Sequence, residues 1–141
     1  MCIRDSSADI LIVALGKAEF VSIHLPINKT TKNFISQTDL KLMKKNSVLV
    51  NTSRGGIVNE NDLYQALKSK KIRGAGIDVF ISEPPESNHP FFQLDNILLT
   101  PHNAALTLEC RVRMSLEASE NIFYFFPSFL ALPFSLRLLK K

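Results

Sequence analysis

A chain of 141 residues, 45% of them hydrophobic, can bury one real core and has room for about one domain. Its two cysteines, Cys2 and Cys110, make no disulfide framework and have no metal-ligand spacing, so they fit a reducing, cytoplasmic compartment. The net charge of +4 comes from 17 basic and 13 acidic residues without a long basic stripe interleaved with aromatics, which ranks nucleic acid below an anionic cofactor or substrate.

In chain order, Ile10 to Leu15 is apolar but short, and Asp9 precedes it, so it is no signal peptide. The first strand is Phe20-Val21-Ser22-Ile23, running into His24-Leu25-Pro26. Ser36-Gln37-Thr38-Asp39 has capping-box spacing, with Asp in place of the usual Glu, and starts a helix carrying Leu40 and Met43. The second strand, Ser47-Val48-Leu49-Val50, runs into Asn51-Thr52-Ser53-Arg54-Gly55-Gly56. Asn59-Glu60-Asn61-Asp62 repeats the helix-start device before Leu63, Ala66 and Leu67, which share one helical face. Lys70 to Gly74 ends that helix. The third strand, Ala75-Gly76-Ile77, leads to Asp78-Val79-Phe80 and then Glu83-Pro84. Pro84, Pro85 and Pro90 make the third crossover mostly loop. Ile97-Leu98-Leu99 is the fourth strand and ends in Thr100-Pro101-His102. Thr107 caps a last helix with Glu109 in its first turn and Val112, Leu116 and Phe123 as its stripe. Residues 127–141 read as an irregular apolar tail. The greasy stretch Ile122 to Leu136 holds Pro127 and Pro133 and is shorter than the roughly 20 residues a bilayer span needs, so no membrane partner is expected.

Strand ends near 24, 51, 78 and 100 are spaced as βαβ crossovers require. The apolar runs are continuous rather than alternating, which predicts strands buried on both faces. The expected fold is therefore α/β, part of a doubly wound, Rossmann-like parallel sheet. All four polar signatures then leave the same sheet edge, where open α/β sheets bind ligands.

Several side chains at that edge carry chemistry. Arg54 can clamp a carboxylate through paired hydrogen bonds, and Gly55-Gly56 lets backbone approach a ligand; a surface Arg beside a tight turn is an equal alternative. His102 can move a proton near neutral pH, and Glu83 would orient it, against the alternative of a solvated loop acid ahead of two prolines. Asp78 ends a strand in apolar surroundings and needs donors, either backbone amides or the carboxamide of a ligand. His24 and Asn51 are weaker candidates, and His89 reads as a loop residue. The three histidines lack metal-site spacing, and no Gly-x-Ser-x-Gly elbow occurs.

Together, Val50 to Gly56, Gly76 to Phe80 with Glu83-Pro84, Leu99 to His102, and His24-Leu25-Pro26 followed by Thr31 resemble the signature blocks of D-isomer-specific 2-hydroxyacid dehydrogenases, over roughly residues 19 to 126. The finer likeness is to D-3-phosphoglycerate dehydrogenase-like members. The resemblance implies NAD(H)-dependent hydride transfer between a 2-hydroxy acid and its 2-keto acid. It assigns Arg54 to the substrate carboxylate and carbonyl, His102 to the carbonyl-oxygen proton, and Glu83 to His102. It places Asp78 at the nicotinamide carboxamide, a backbone carbonyl of Thr52 along that ring and His24 and Pro26 beside the cofactor, and it counts Thr31, Ser53, Arg54 and His102 among the cofactor contacts. Glu83 argues against the formate-dehydrogenase branch, where a Gln stands. The family usually has Thr at the position of Asn28.

The five glycines form no Gly-x-Gly-x-x-Gly, and the ribose-binding acid about 20 residues after it is missing too, so NADP is as admissible as NAD. Residues 9–126 therefore read as an incomplete NAD-binding domain with its C-terminal helix, without the substrate domain. On that reading the chain is a fragment inactive alone and homodimeric in the complete protein. The alternatives are an NAD-responsive, corepressor-like interaction protein and a non-functional gene fragment.

Overall fold

The structure is a computed structural model and describes residues 8–125. It divides into a unit that runs through Ala104 and a second that begins at Ala105. The tail expected over 127–141 lies outside the described residues.

The first unit holds four parallel strands, β1 (Phe20–Ile23), β2 (Val48–Asn51), β3 (Gly74–Ile77) and β4 (Ile97–Leu99), in the order β1-β2-β3-β4. Helices α1 (Ala8–Lys17), α2 (Gln37–Leu42) and α3 (Glu60–Lys68) accompany them. Helix α1 is not among the elements expected from the sequence, because its apolar residues run without a polar face. The third crossover has no α-helix, as the prolines require, and contains a short 3-10 helix, Pro90–Gln93.

Helix starts follow the local chemistry. The Asp39 carboxylate accepts the Ser36 backbone N–H at 2.9 Å and its hydroxyl at 2.8 Å. Asn59 Oδ1 accepts the Asp62 N–H at 3.1 Å and caps α3.

Register puts Val21, Leu49 and Ala75 on one face of the sheet, with Ile23 and Ile77 one pleat further along. These residues are buried in one core with Leu15 of α1, Leu40 of α2 and Leu63, Ala66 and Leu67 of α3. The other face carries Phe20, Val50, Gly76 and Leu98, and Phe20 and Leu98 are 63% and 70% exposed. Strands buried on both faces were expected, but the described residues cover only one. Consecutive right-handed crossovers that always step the same way place every helix on the same side.

The second unit contains α4 (Leu108–Phe125), where the Thr107 hydroxyl accepts the Cys110 N–H at 3.2 Å. Its stripe of Val112, Leu116 and Phe123 is exposed. No helix among the described residues is long and apolar enough to cross a membrane.

Candidate active site

Three chain segments meet at the C-terminal edge of the sheet. The first follows β2. Asn51 is buried, and its Oδ1 accepts the Ser53 N–H at 3.1 Å and the Ser53 hydroxyl at 2.8 Å, while its Nδ2 donates to the Arg54 carbonyl at 3.0 Å. This side chain folds the turn that presents Arg54. The guanidinium is exposed, and its Nη1 donates to the Ser53 carbonyl at 2.6 Å, leaving its other N–H groups for a ligand. Gly55 has no room for a side chain, since a Cβ would lie 1.9 Å from the Phe80 carbonyl oxygen. Gly56 has φ of +78°, a region that favours glycine.

The second segment, after β3, carries Asp78 and Glu83. Asp78 is 2% exposed. Its Oδ1 accepts the Thr100 hydroxyl and the Asn103 N–H (2.9 Å), and its Oδ2 accepts the Ala104 N–H at 3.0 Å. Its own carbonyl accepts the His102 N–H at 2.8 Å. Burial pushes the Asp78 carboxyl up, but the Thr100 hydroxyl, the two amides and the nearby His102 outweigh it and hold the group below its usual value. Backbone amides, one of the two kinds of partner open to Asp78 from sequence, are present and are joined by a hydroxyl. Through these bonds Asp78 ties down the 100–104 loop that carries His102, and it also borders the cavity beside it.

The third segment, after β4, carries His102 in the left-handed region with φ of 53°. Its Nδ1 lies 2.8 Å from Glu83 Oε2. The other Glu83 oxygen, Oε1, accepts the Phe80 N–H at 3.0 Å. His102 and then the Phe80 amide hold the Glu83 carboxyl below its ordinary value against the opposing effect of burial. An ionised Glu83 makes Nδ1 the protonated nitrogen, so Nε2 is left to exchange a proton with a ligand. Asp78, Glu83, Thr100 and His102 border a cavity of about 430 Å³ whose walls are mostly apolar, among them Phe80, Phe92 and Leu99. Glu83, His102 and Asp78 are thus brought together. Arg54 is not in that lining. It stands on the adjoining turn, whose Gly55 backbone abuts Phe80.

Residues 6–104 match the family described as D-isomer specific 2-hydroxyacid dehydrogenase, NAD binding domain. The chain belongs to this family. Its membership covers α1 as well as the motif blocks, so the match begins and ends earlier than the 19–126 stretch over which the motifs were read. A glyoxylate reductase of Aeropyrum pernix is 44% identical over 79% of this chain and 33% of its own length. A D-3-phosphoglycerate dehydrogenase of Methanocaldococcus jannaschii is 42% identical over 75% of this chain and 20% of its own. A solved acyclic imino acid reductase in complex with NADPH and D-Arg superposes with a TM-score of 0.75 at 34% identity, over 84% of this chain and 38% of that one. The chain therefore spans about a third or less of the length of the curated relatives named here.

For a family defined by NAD binding, the fit to the cofactor divides in two. The rim suits a nicotinamide ring: the cavity walls are apolar, and no hydrogen bond among the described residues takes up the Thr52 carbonyl. A dinucleotide's pyrophosphate finds no Gly-x-Gly-x-x-Gly among the 141 residues. The remaining residues that the dehydrogenase blocks single out lie in the loop after β1. His24 Nε2 is 2.8 Å from the Ser22 hydroxyl. The Thr31 hydroxyl donates to the Pro26 carbonyl at 2.6 Å and accepts the Asn28 N–H at 2.8 Å. Asn28 Oδ1 accepts three further hydrogen bonds, from both donors of Thr30 and from the Thr31 N–H. Asn28 and Thr31 therefore organise this turn together.

Two residues escaped the sequence reading. His89, read as a plain loop residue, is 15% exposed and lies 3.3 Å from Glu60 of α3. Glu60 enters the sequence analysis only within the helix-start run Asn59-Glu60-Asn61-Asp62. No local signal shows that it reaches the Ile81 amide, 21 residues ahead.

Proposed function

We propose that this chain forms the catalytic edge of an NAD(H)-dependent oxidoreductase that interconverts a D-2-hydroxy acid and its 2-keto acid. The observation that carries this reading is the His102–Glu83 contact at the ligand edge of a sheet belonging to this family. When bound, the nicotinamide supplies or accepts the hydride. His102 gives a proton to the carbonyl oxygen through Nε2, or takes it back in the reverse direction, while Glu83 keeps the ring oriented and its charge compensated. Arg54 grips the substrate carboxylate with the N–H groups it does not spend on Ser53. Asp78, which borders the cavity, accepts from the carboxamide of the ring and the Thr52 carbonyl lines that ring, with Ser53, His24, Pro26 and Thr31 beside the cofactor. Asp78 fixes the loop that bears His102. No Gly-x-Gly-x-x-Gly occurs among the 141 residues to read the cofactor's phosphates, so NADP serves the reading as well as NAD. A cytoplasmic homodimer without nucleic-acid or membrane partners is part of the same proposal, supported by the two sparse cysteines and the scattered charge.

The test is a chimera in which residues 6–104 replace the matching stretch of the Aeropyrum pernix glyoxylate reductase. It is expected to oxidise NADH with glyoxylate. Adding His102→Gln should lower kcat by about 100-fold or more, and Arg54→Ala should damage substrate binding as well. Equal turnover with and without His102→Gln would remove the assignment.

A further inference from the structure

Two carboxylates hold the 80–83 strap in the same manner. Glu83 accepts the Phe80 N–H through Oε1 (3.0 Å) and meets His102 Nδ1 through Oε2 (2.8 Å). Glu60 accepts the next amide, that of Ile81, through Oε1 (2.8 Å) and meets His89 Nε2 through Oε2 (3.3 Å). His89 also receives the Phe91 N–H on Nδ1 at 3.3 Å. An amide can only donate, so Nδ1 accepts and Nε2 carries the proton offered to Glu60. The His89 ring lies edge-on to Phe80, Phe91 and Phe92, with centroids 5.5, 4.8 and 6.0 Å away. Phe80 and Phe92 border the cavity beside His102. The Glu60–His89 pair is the more sheltered of the two, at 20% and 15% exposure against 38% and 46% for Glu83 and His102.

We propose that Glu60 and His89 are a positioning pair: they pin the Ile81 amide to α3 and so hold the strap at the spot where Glu83 meets His102. Neither touches the reacting atoms. Their effect on turnover rests on the dehydrogenase reading, whereas their effect on the geometry of His102 does not. Of the two carboxylates, Glu83 belongs to the strap itself, so Glu60 is the one that ties it to a helix, while the Gly55 backbone only abuts it. A sheltered, hydrogen-bonded pair supplies direction as well as contact.

The experiment reads the His102 imidazole by nitrogen-15 NMR in the 141-residue chain. Which ring nitrogen carries the proton depends on the bond the other group makes to it. Glu83→Gln sets the scale, with a several-fold fall in the ratio of the Nδ1–H to the Nε2–H form. His89→Phe, which keeps the aromatic packing and removes both hydrogen bonds, is expected to reproduce a large part of that fall, and Glu60→Gln should do the same. Asp62→Asn is the control. It sits in the same helical turn and holds a different amide, that of Gln37 at 2.9 Å, so it should leave the ratio unchanged. An unchanged ratio in a folded His89→Phe variant overturns the proposal. So does an equal change in Asp62→Asn, which would indicate general loosening. Loss of fold in His89→Phe overturns it too, since the pair would then be a determinant of folding. Failure here would leave the chimera's dependence on His102 intact, and failure of the chimera would leave the nitrogen-15 result intact.

Discussion

At the scale of single residues, His102 occupies backbone space that side chains seldom enter. Asp78 keeps it there with bonds on both sides of it and to its own amide. Asn tolerates that conformation well, so His102→Asn is expected to change stability by less than about 0.5 kcal/mol while removing the proton carrier. Thermal melts run beside activity assays in the chimera check the separation. Asp78→Asn is expected to lower stability and to disturb the loop that carries His102. The new amide would point a donor at a donor within a buried cluster, costing about 1–3 kcal/mol in a urea titration. The acid limb of stability follows from the same group. Its folded value lies below the 3.8 of a free Asp, so its contribution is whole above that pH and fades as pH falls through the folded value. Glu83 has the same sign, starting from 4.5. Urea midpoints taken from about pH 6 down to about pH 2 should hold steady until roughly pH 4.5 and then drop. Asp78→Asn should flatten that drop. From the sequence alone, Asp78 has two possible kinds of partner, internal amides and a ligand. Only the fold shows Thr100, Asn103 and Ala104 closing around it, because that closure links residues more than 20 positions apart.

At the scale of elements, the legible features were those written in neighbouring residues. The caps at Ser36 and Asn59, the buried trio of α3 and all four strands could be read because each is specified within a few positions. Helix α1 could not, since an unbroken apolar run does not distinguish a helix from a strand. The contacts of Glu60 and His89 were also out of reach, because they depend on how a proline-rich loop folds back over α3. Gly55 lies between these cases. The sequence marks it as a place where backbone approaches a ligand, whereas the structure puts the chain's own backbone there, the Phe80 carbonyl and the Ile81 nitrogen. Both are backbone atoms that cannot swing aside. Gly55→Ala is therefore expected to cost about 1–3 kcal/mol and to displace the strap. Denaturant titration measures the first effect. The second appears as a shift of the His102 ring resonances in the absence of any ligand.

At the scale of the whole molecule, the strand composition and the observed burial pull apart. Val48, Val50 and Leu98 belong to runs apolar enough for a sheet covered on both sides, yet the first unit covers one side. Exposed apolar surface of this kind lowers solubility. Phe20→Lys combined with Leu98→Lys is expected to raise the soluble concentration of the chain while leaving its melting temperature nearly unchanged, which light scattering and calorimetry would check together.

The strand order has one further consequence. Because β1, β2, β3 and β4 lie side by side in the order of synthesis, their terminal loops form a row about 14 Å long, three strand spacings of about 4.8 Å. A small molecule stretched along that row meets the chain's signatures in the order in which they are translated. Position in the gene is thereby turned into position along the ligand, and lengthening any crossover on the far side would leave that mapping undisturbed.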